Sequence, residues 1–192
     1  MKEKTLQDLT KEEIGHLFPI EISSYNKKWP LLFEIEKKLI TDTLSAELFS
    51  RIEHFGSTSV PGLAAKDTID ILMEVEFDEG KNQKMIELMK CLSYEFNWQT
   101  EGANTHMVFV KGYNIMSPKG QTYHIHAGPK DHPLWDRIFF RDYLIDHPET
   151  AREYEELKLR LANKFKHDRV GYRVAKAEFV KEVTDEAKQA LL

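Results

Sequence analysis

The sequence predicts an α+β fold, with a central mixed or antiparallel sheet of about five strands, helices packed on it and a helical C-terminal section. Three observations lead there. Strand-like segments cluster in the middle of the chain, helical spacing fills the last third, and the two do not alternate as a regularly wound α/β protein requires. Taking the elements in order, Thr10-Lys11-Glu12-Glu13 has the form of a capping box and opens a short helix that Pro19 ends. Ile20-Glu21-Ile22 is expected as a short strand. Pro30 suits a first helical turn, and Leu31, Leu32, Ile35, Leu39 and Ile40 recur at helical spacing over 30–46.

The middle is expected to hold strands over 48–54 and 68–76, a helix over 81–92, and further strands over 107–110, 113–116 and 121–127. Lys111-Gly112 and Pro118-Lys119-Gly120 supply the turns. Asp131 caps a helix with Pro133 in its first turn. Asp146-His147-Pro148 breaks it and starts the next, and a third runs from Gly171. Phe140 and Leu144 are expected to pack inward, four residues apart.

A chain of 192 residues fits one domain. Residues 1–19 form an N-terminal extension and 131–192 the helical section. With 27 Lys+Arg against 32 Asp+Glu the formal net charge is -5, which argues against an extended nucleic-acid surface. The lone Cys91 excludes a disulfide framework and sits among apolar residues as expected core. No apolar run approaches the roughly 18 residues of a membrane span, and no apolar signal segment follows Met1. A cytoplasmic protein without a membrane partner is the expectation.

The most informative stretch runs from Arg51 to Leu72. It reads as strand, small-residue turn and buried strand opening with a carboxylate. Gly56 and Ser57 can bring backbone N–H groups and a hydroxyl close to an anion. Asp70 enters an apolar strand, where an unpaired carboxylate is costly, and a carboxylate beside a phosphate cradle suits a Mg²⁺ ion. The bland alternative is an ordinary Gly-Ser turn with Asp70 at a strand edge.

These residues resemble the GrpB-like family, a group with a nucleotidyltransferase-like fold. The resemblance spans about 20–183. It rests on Tyr25, Trp29 and Phe33, on His54-Phe55-Gly56-Ser57-Thr58-Ser59-Val60-Pro61-Gly62-Leu63-Ala64-Ala65-Lys66, and on Ile69-Asp70-Ile71-Leu72. His124-Ile125-His126, Phe140-Arg141-Asp142-Tyr143-Leu144, His147-Pro148, Tyr154, Leu157-Lys158, Ala175-Lys176 and Phe179-Val180 continue it. It implies that Gly56, Ser57 and Thr58 hold a phosphate tail and that Asp70 is the first metal-binding carboxylate. The second carboxylate expected two residues on is absent, because Leu72 stands there. Glu74 shares the face but lies about 13 Å from Asp70 along a strand rising roughly 3.3 Å per residue.

His124 and His126 are the candidate substitutes. On a strand they share a face about 6–7 Å apart, and with Asp70 they would form a two-histidine, one-carboxylate set, which suits Zn²⁺, Mn²⁺ or Fe²⁺ better than Mg²⁺, with His54 as a further member. The competing reading has both histidines hydrogen-bonded without metal. Lys66, Arg141 and Lys176 are the candidate phosphate cations. Arg141 with Asp142 could equally form a surface pair. Three functions compete: a nucleotidyltransferase-like enzyme acting on a nucleotide or phosphorylated small molecule with a divalent ion, a binding module of the same fold without catalysis, and a metal-dependent phosphate hydrolase.

Overall fold

A computed structural model describes residues 8–99, 104–118 and 120–190. Residues 1–7 of the expected N-terminal extension, Lys119 of an expected turn, and the last two residues lie outside it. The chain order is α1 (Lys11–Leu17), α2 (Trp29–Thr43), β1 (Arg51–Phe55), a 3-10 turn (Ser57–Ser59), β2 (Thr68–Glu74), α3 (Glu79–Cys91), β3 (Glu95–Gln99), β4 (His106–Lys111) and β5 (Thr122–Gly128). A second 3-10 turn (Pro133–Trp135) leads into α4 (Asp136–Asp146), α5 (Pro148–Lys164), α6 (Arg169–Ala175) and α7 (Ala177–Gln189).

The five strands form one mixed sheet in the order β1-β2-β5-β4-β3. The pair β2–β5 is parallel and the other three pairs are antiparallel. Strand residues alternate between faces, so register decides which side each serves. Ile69, Ile71, Met73, Ile125, Ala127, Met107 and Phe109 face α2 and α3, where Trp29, Phe33, Ile40, Met85 and Met89 complete the main core. The other face carries Asp70, Leu72, His124 and His126 and looks towards the C-terminal helices.

The capping box at Thr10 is present in both directions: Glu13 N–H donates to Thr10 Oγ1, and Thr10 N–H donates to Glu13 Oε2. Pro30 sits in the first turn of α2. Phe140 and Leu144 are buried, as expected of residues four apart on an inward face.

Several expectations need correction. In α2 the buried stripe is Trp29, Phe33, Glu36 and Ile40, whereas Leu31, Ile35 and Leu39 are exposed. Glu36 can be buried because Tyr94 Oη donates to it at 2.9 Å and Lys111 pairs with it. Cys91 is exposed at the end of α3, and its thiol donates to Glu87 O. Ile20–Ile22 is no strand; the chain there makes a single bridge, Ser23 with Ala65. Residues 113–116 form no strand either, because Asn114 folds back to accept from the Met116 and Ser117 N–H groups. The strand missed by the sequence reading is β3. The helix expected at Asp131 begins at Asp136, after a 3-10 turn whose Leu134 N–H donates to His132 Nδ1.

Candidate functional site

Two clamps hold the 56–67 loop. Val60 and Leu63 pack with Phe140, Leu144 and Tyr154. The backbone of Ala64 is gripped from α5, since its N–H donates to Glu155 Oε2 at 2.6 Å and its carbonyl accepts from Lys158 Nζ. Lys158 is 1% exposed, and burial pushes its pKa down to about 7, helped by Lys176. Thr58 is buried beneath the loop. It donates to Thr68 O at 3.0 Å and meets His54 Nε2 at 3.0 Å.

The loop is thereby pinned over β2. Gly56 adopts φ +73, and a Cβ there would fall 2.4 Å from Asp70 Oδ2. The turn thus rests directly on the carboxylate, and no side chain fits between them. Ser59 Oγ closes the turn on Gly56 O at 2.6 Å. Asp70 is opposite Phe55 on β1 and His124 on β5. Its carboxylate keeps 28% side-chain exposure and lies 3.7 Å from His124 Nδ1. Burial raises its pKa, and Lys66, Lys176 and Arg137 oppose that rise.

The surroundings of Asp70 are strongly cationic. Burial, Arg169 and Lys176 push the half-buried Lys66 ammonium down to about 7, with Asp70 acting the other way. Burial also works against the charge on Lys176, but Tyr154, Tyr172 and Asp70 together hold its pKa above the ordinary lysine value. Its Nζ lies 5.1 Å from the Tyr172 ring centroid. Arg137 stands over the Phe55 ring at 5.3 Å. One carboxylate among these cations favours an anionic ligand over a bare cation.

The histidines are tied down in different ways. His124 Nε2 meets Tyr113 Oη at 2.5 Å, and Arg169 Nη2 donates to the same phenol oxygen at 3.1 Å. Burial, then Lys66 and Arg169, push His124 down to about 3, so the ring is neutral. His126 Nδ1 meets His106 Nε2 at 3.0 Å, and His106 Nδ1 meets Asn104 O at 3.2 Å. Burial and then Arg137 hold the His126 pKa well below its ordinary value.

The sequence profile described as "GrpB protein" matches residues 19–186. The chain belongs to the GrpB family. Among GrpB-family relatives, UPF0157 protein YqkA of Bacillus subtilis is 36% identical over 180 residues, covering 92% of this chain and 50% of that protein. This chain thus spans about half the length of that relative. Glutamate-rich protein GrpB of Alkalihalophilus pseudofirmus is 32% identical, covering 85% of this chain and 92% of that protein. The crystal structure of conserved protein GrpB from Enterococcus faecalis superposes with a TM-score of 0.77 at 29% identity, over 89% of this chain and 99% of that one.

For this GrpB-family chain, the site residues expected from sequence divide into two groups. Gly56, Asp70 and His124 are brought together, with Lys66 and Lys176 in electrostatic reach of the carboxylate and Ser57 on the same turn. His126 shares their face, one register step further along. Arg141 is placed elsewhere: it donates to Glu53 Oε2, Asp142 Oδ1 and His54 O, fastening α4 to β1. Thr58 is committed inward, so its hydroxyl is not turned to a phosphate. His54 lies on the opposite sheet face, opposite Ile71 and stacked on Phe33, and cannot join a metal set with Asp70. Glu74 sits at the far end of β2, where Ser50 Oγ donates to it at 2.7 Å.

Among the described residues, no group of three or more His, Cys, Asp and Glu side chains is placed to hold a metal ion. His126 Nδ1 is taken by His106 and His124 Nε2 by Tyr113, so each ring meets any further partner through its other nitrogen, His126 Nε2 and His124 Nδ1. Sequence reading missed Tyr113, His106, Arg137 and Arg169. Of these only His106 left a signal, since it lies on β4 at the same alternation as Val108, the partner of His126.

Proposed function

We propose that this chain binds a nucleotide or another phosphorylated small molecule, with the phosphate held between the Gly56–Ser57 turn and Lys66 and Lys176. One observation carries the reading: Gly56 lies on Asp70 with no room for a side chain, so a glycine-serine turn and a partly exposed carboxylate share one site. Backbone N–H groups at a tight turn favour an anion, and the lysines add charge. A divalent ion, in this reading, arrives with the phosphates and meets Asp70, the one carboxylate among the described residues that lies against the Gly56 turn. A three-residue protein set is not required.

Nucleotidyl transfer is the reaction that the Gly-Ser turn and Asp70 suggest. Binding without turnover is favoured by Leu72, which is 1% exposed and occupies the position where a second carboxylate would bind metal. A thermal-shift series with nucleoside triphosphates and Mg²⁺ or Mn²⁺, followed by product analysis, separates the two. Stabilisation with pyrophosphate release supports transfer, and stabilisation without product supports a binding module. No stabilisation by any phosphorylated compound would overturn the proposal.

A further inference from the structure

Helix α2 carries two apolar stripes. Trp29, Phe33 and Ile40 face the sheet, while Leu31, Ile35 and Leu39 turn outwards with 61%, 55% and 41% of their surface exposed. Successive members of the outer stripe are four residues apart, so they form one ridge on a single helix face, about 12 Å long at 1.5 Å per residue. A contiguous apolar ridge in water marks an association surface, where scattered exposed residues would not.

The residues at the two ends of the ridge indicate what covers it. Lys28 lies three residues before Leu31, and Asp42 lies three residues after Leu39. At about 100° per residue, both fall within the arc that the ridge covers. The order is cation, three apolar residues, anion, and it is symmetric in spacing about Ile35. Among the described residues Lys28 makes no ion pair. Asp42 pairs with Lys38 one turn back, and both of those side chains are exposed, so the carboxylate can accept from a second donor.

These features fit a second copy of the same helix. When a two-fold axis passes through the helix at right angles beside Ile35, the two helices run antiparallel. Leu31 then meets Leu39 of the second copy, Ile35 meets Ile35 of the second copy, and each Lys28 faces Asp42 of the second copy. A parallel pair would set lysine on lysine and aspartate on aspartate, which like-charge repulsion opposes. Ridges of residues four apart on both helices interlock at a crossing angle of about -50°. We infer that the chain associates with a second copy of itself through α2, as an antiparallel, two-fold symmetric pair. The ridge points away from the sheet and Asp70 lies on the opposite sheet face, so the phosphate site of each copy stays open. Three apolar side chains per copy make a small core, so the dimer is weak.

Sedimentation equilibrium of the full chain in low salt, over roughly 1 μM to 1 mM, is expected to show a monomer–dimer equilibrium. Ile35→Lys sets two ammonium groups on the axis and is expected to abolish it, with melting in dilute solution unchanged because the residue is exposed. Lys28→Glu and Asp42→Lys each create two like-charge contacts, and each is expected to weaken dimerisation about tenfold. The combined Lys28→Glu/Asp42→Lys chain is expected to return to within about threefold of the wild type. A dimer that survives Ile35→Lys, or one that the combined variant fails to restore, overturns the inference. A monomer at every concentration overturns it too, and sedimentation of that monomer with phosphatidylglycerol vesicles would assign the ridge to a lipid surface instead.

Discussion

A methyl group at position 56 would meet Asp70 Oδ2 at 2.4 Å, on a backbone with φ +73 and ψ -174 that only glycine adopts without strain. Gly56→Ala is therefore expected to cost about 1–3 kcal/mol of stability, read by urea denaturation, and to weaken phosphate binding as well. A stable Gly56→Ala protein with unchanged affinity would show that the turn and the carboxylate do not act together. Lys66 makes a second prediction at this scale. Its pKa is pushed down to about 7, so the ammonium that meets a phosphate is lost as pH rises through that value. Affinity for a phosphorylated ligand is expected to fall between pH 7 and 9, with proton uptake on binding seen as buffer-dependent heats. Lys66→Met should remove most of that pH dependence. Both residues were legible in the sequence because their roles are local, a small residue in a turn and a cation just before a strand. Tyr113 and Arg169 were not, because each reaches His124 from a remote segment and neither sits in a pattern of its own.

The elements around the site show what pattern reading can and cannot supply. The alternation of Phe96 and Trp98 with Glu95, Asn97 and Gln99 marks β3 clearly, yet it is easily passed over beside α3. In α2 two apolar stripes compete, and the one containing Leu31 and Ile35 loses. The winner carries Glu36, whose burial depends on Lys111 and Tyr94 from distant segments, a dependence no local window contains. Arg141 illustrates the same limit. In sequence it could be a phosphate ligand or half of a surface pair; in the fold it ties α4 to β1 through Glu53 and His54 O. Arg141→Met is expected to destabilise the protein by about 1.5–3 kcal/mol, the range for hydrogen bonds to charged groups, while leaving phosphate affinity unchanged. A calorimetric affinity loss in a folded Arg141→Met protein would return Arg141 to the site.

At the scale of the whole molecule, buried bases govern how stability depends on pH. Burial pushes His54 down to about 4 and His124 down to about 3, so between those values and 6.5 the unfolded chain binds protons that the folded chain refuses. Stability is therefore expected to fall as pH drops from 6.5 towards 4. Lys66 and Lys158, both pushed down to about 7, extend the same sign upwards. From pH 7 to about 10.5 the unfolded lysines hold protons that the folded ones release, so stability rises with pH there. Calorimetric melting of the wild type and Lys158→Met checks this, because the variant should show a shallower rise from pH 7 to 9. The sheet, the clamped loop and the C-terminal helices together bring Asp70 against the Gly56 turn with Lys66 and Lys176 in electrostatic reach. The most direct test of phosphate binding there is calorimetric titration of a nucleoside triphosphate into the wild type and into Lys66→Met/Lys176→Met. Measurable binding to the wild type, weakened tenfold or more in the double variant, is expected, and an affinity unchanged by losing both lysines would contradict a phosphate site at these residues.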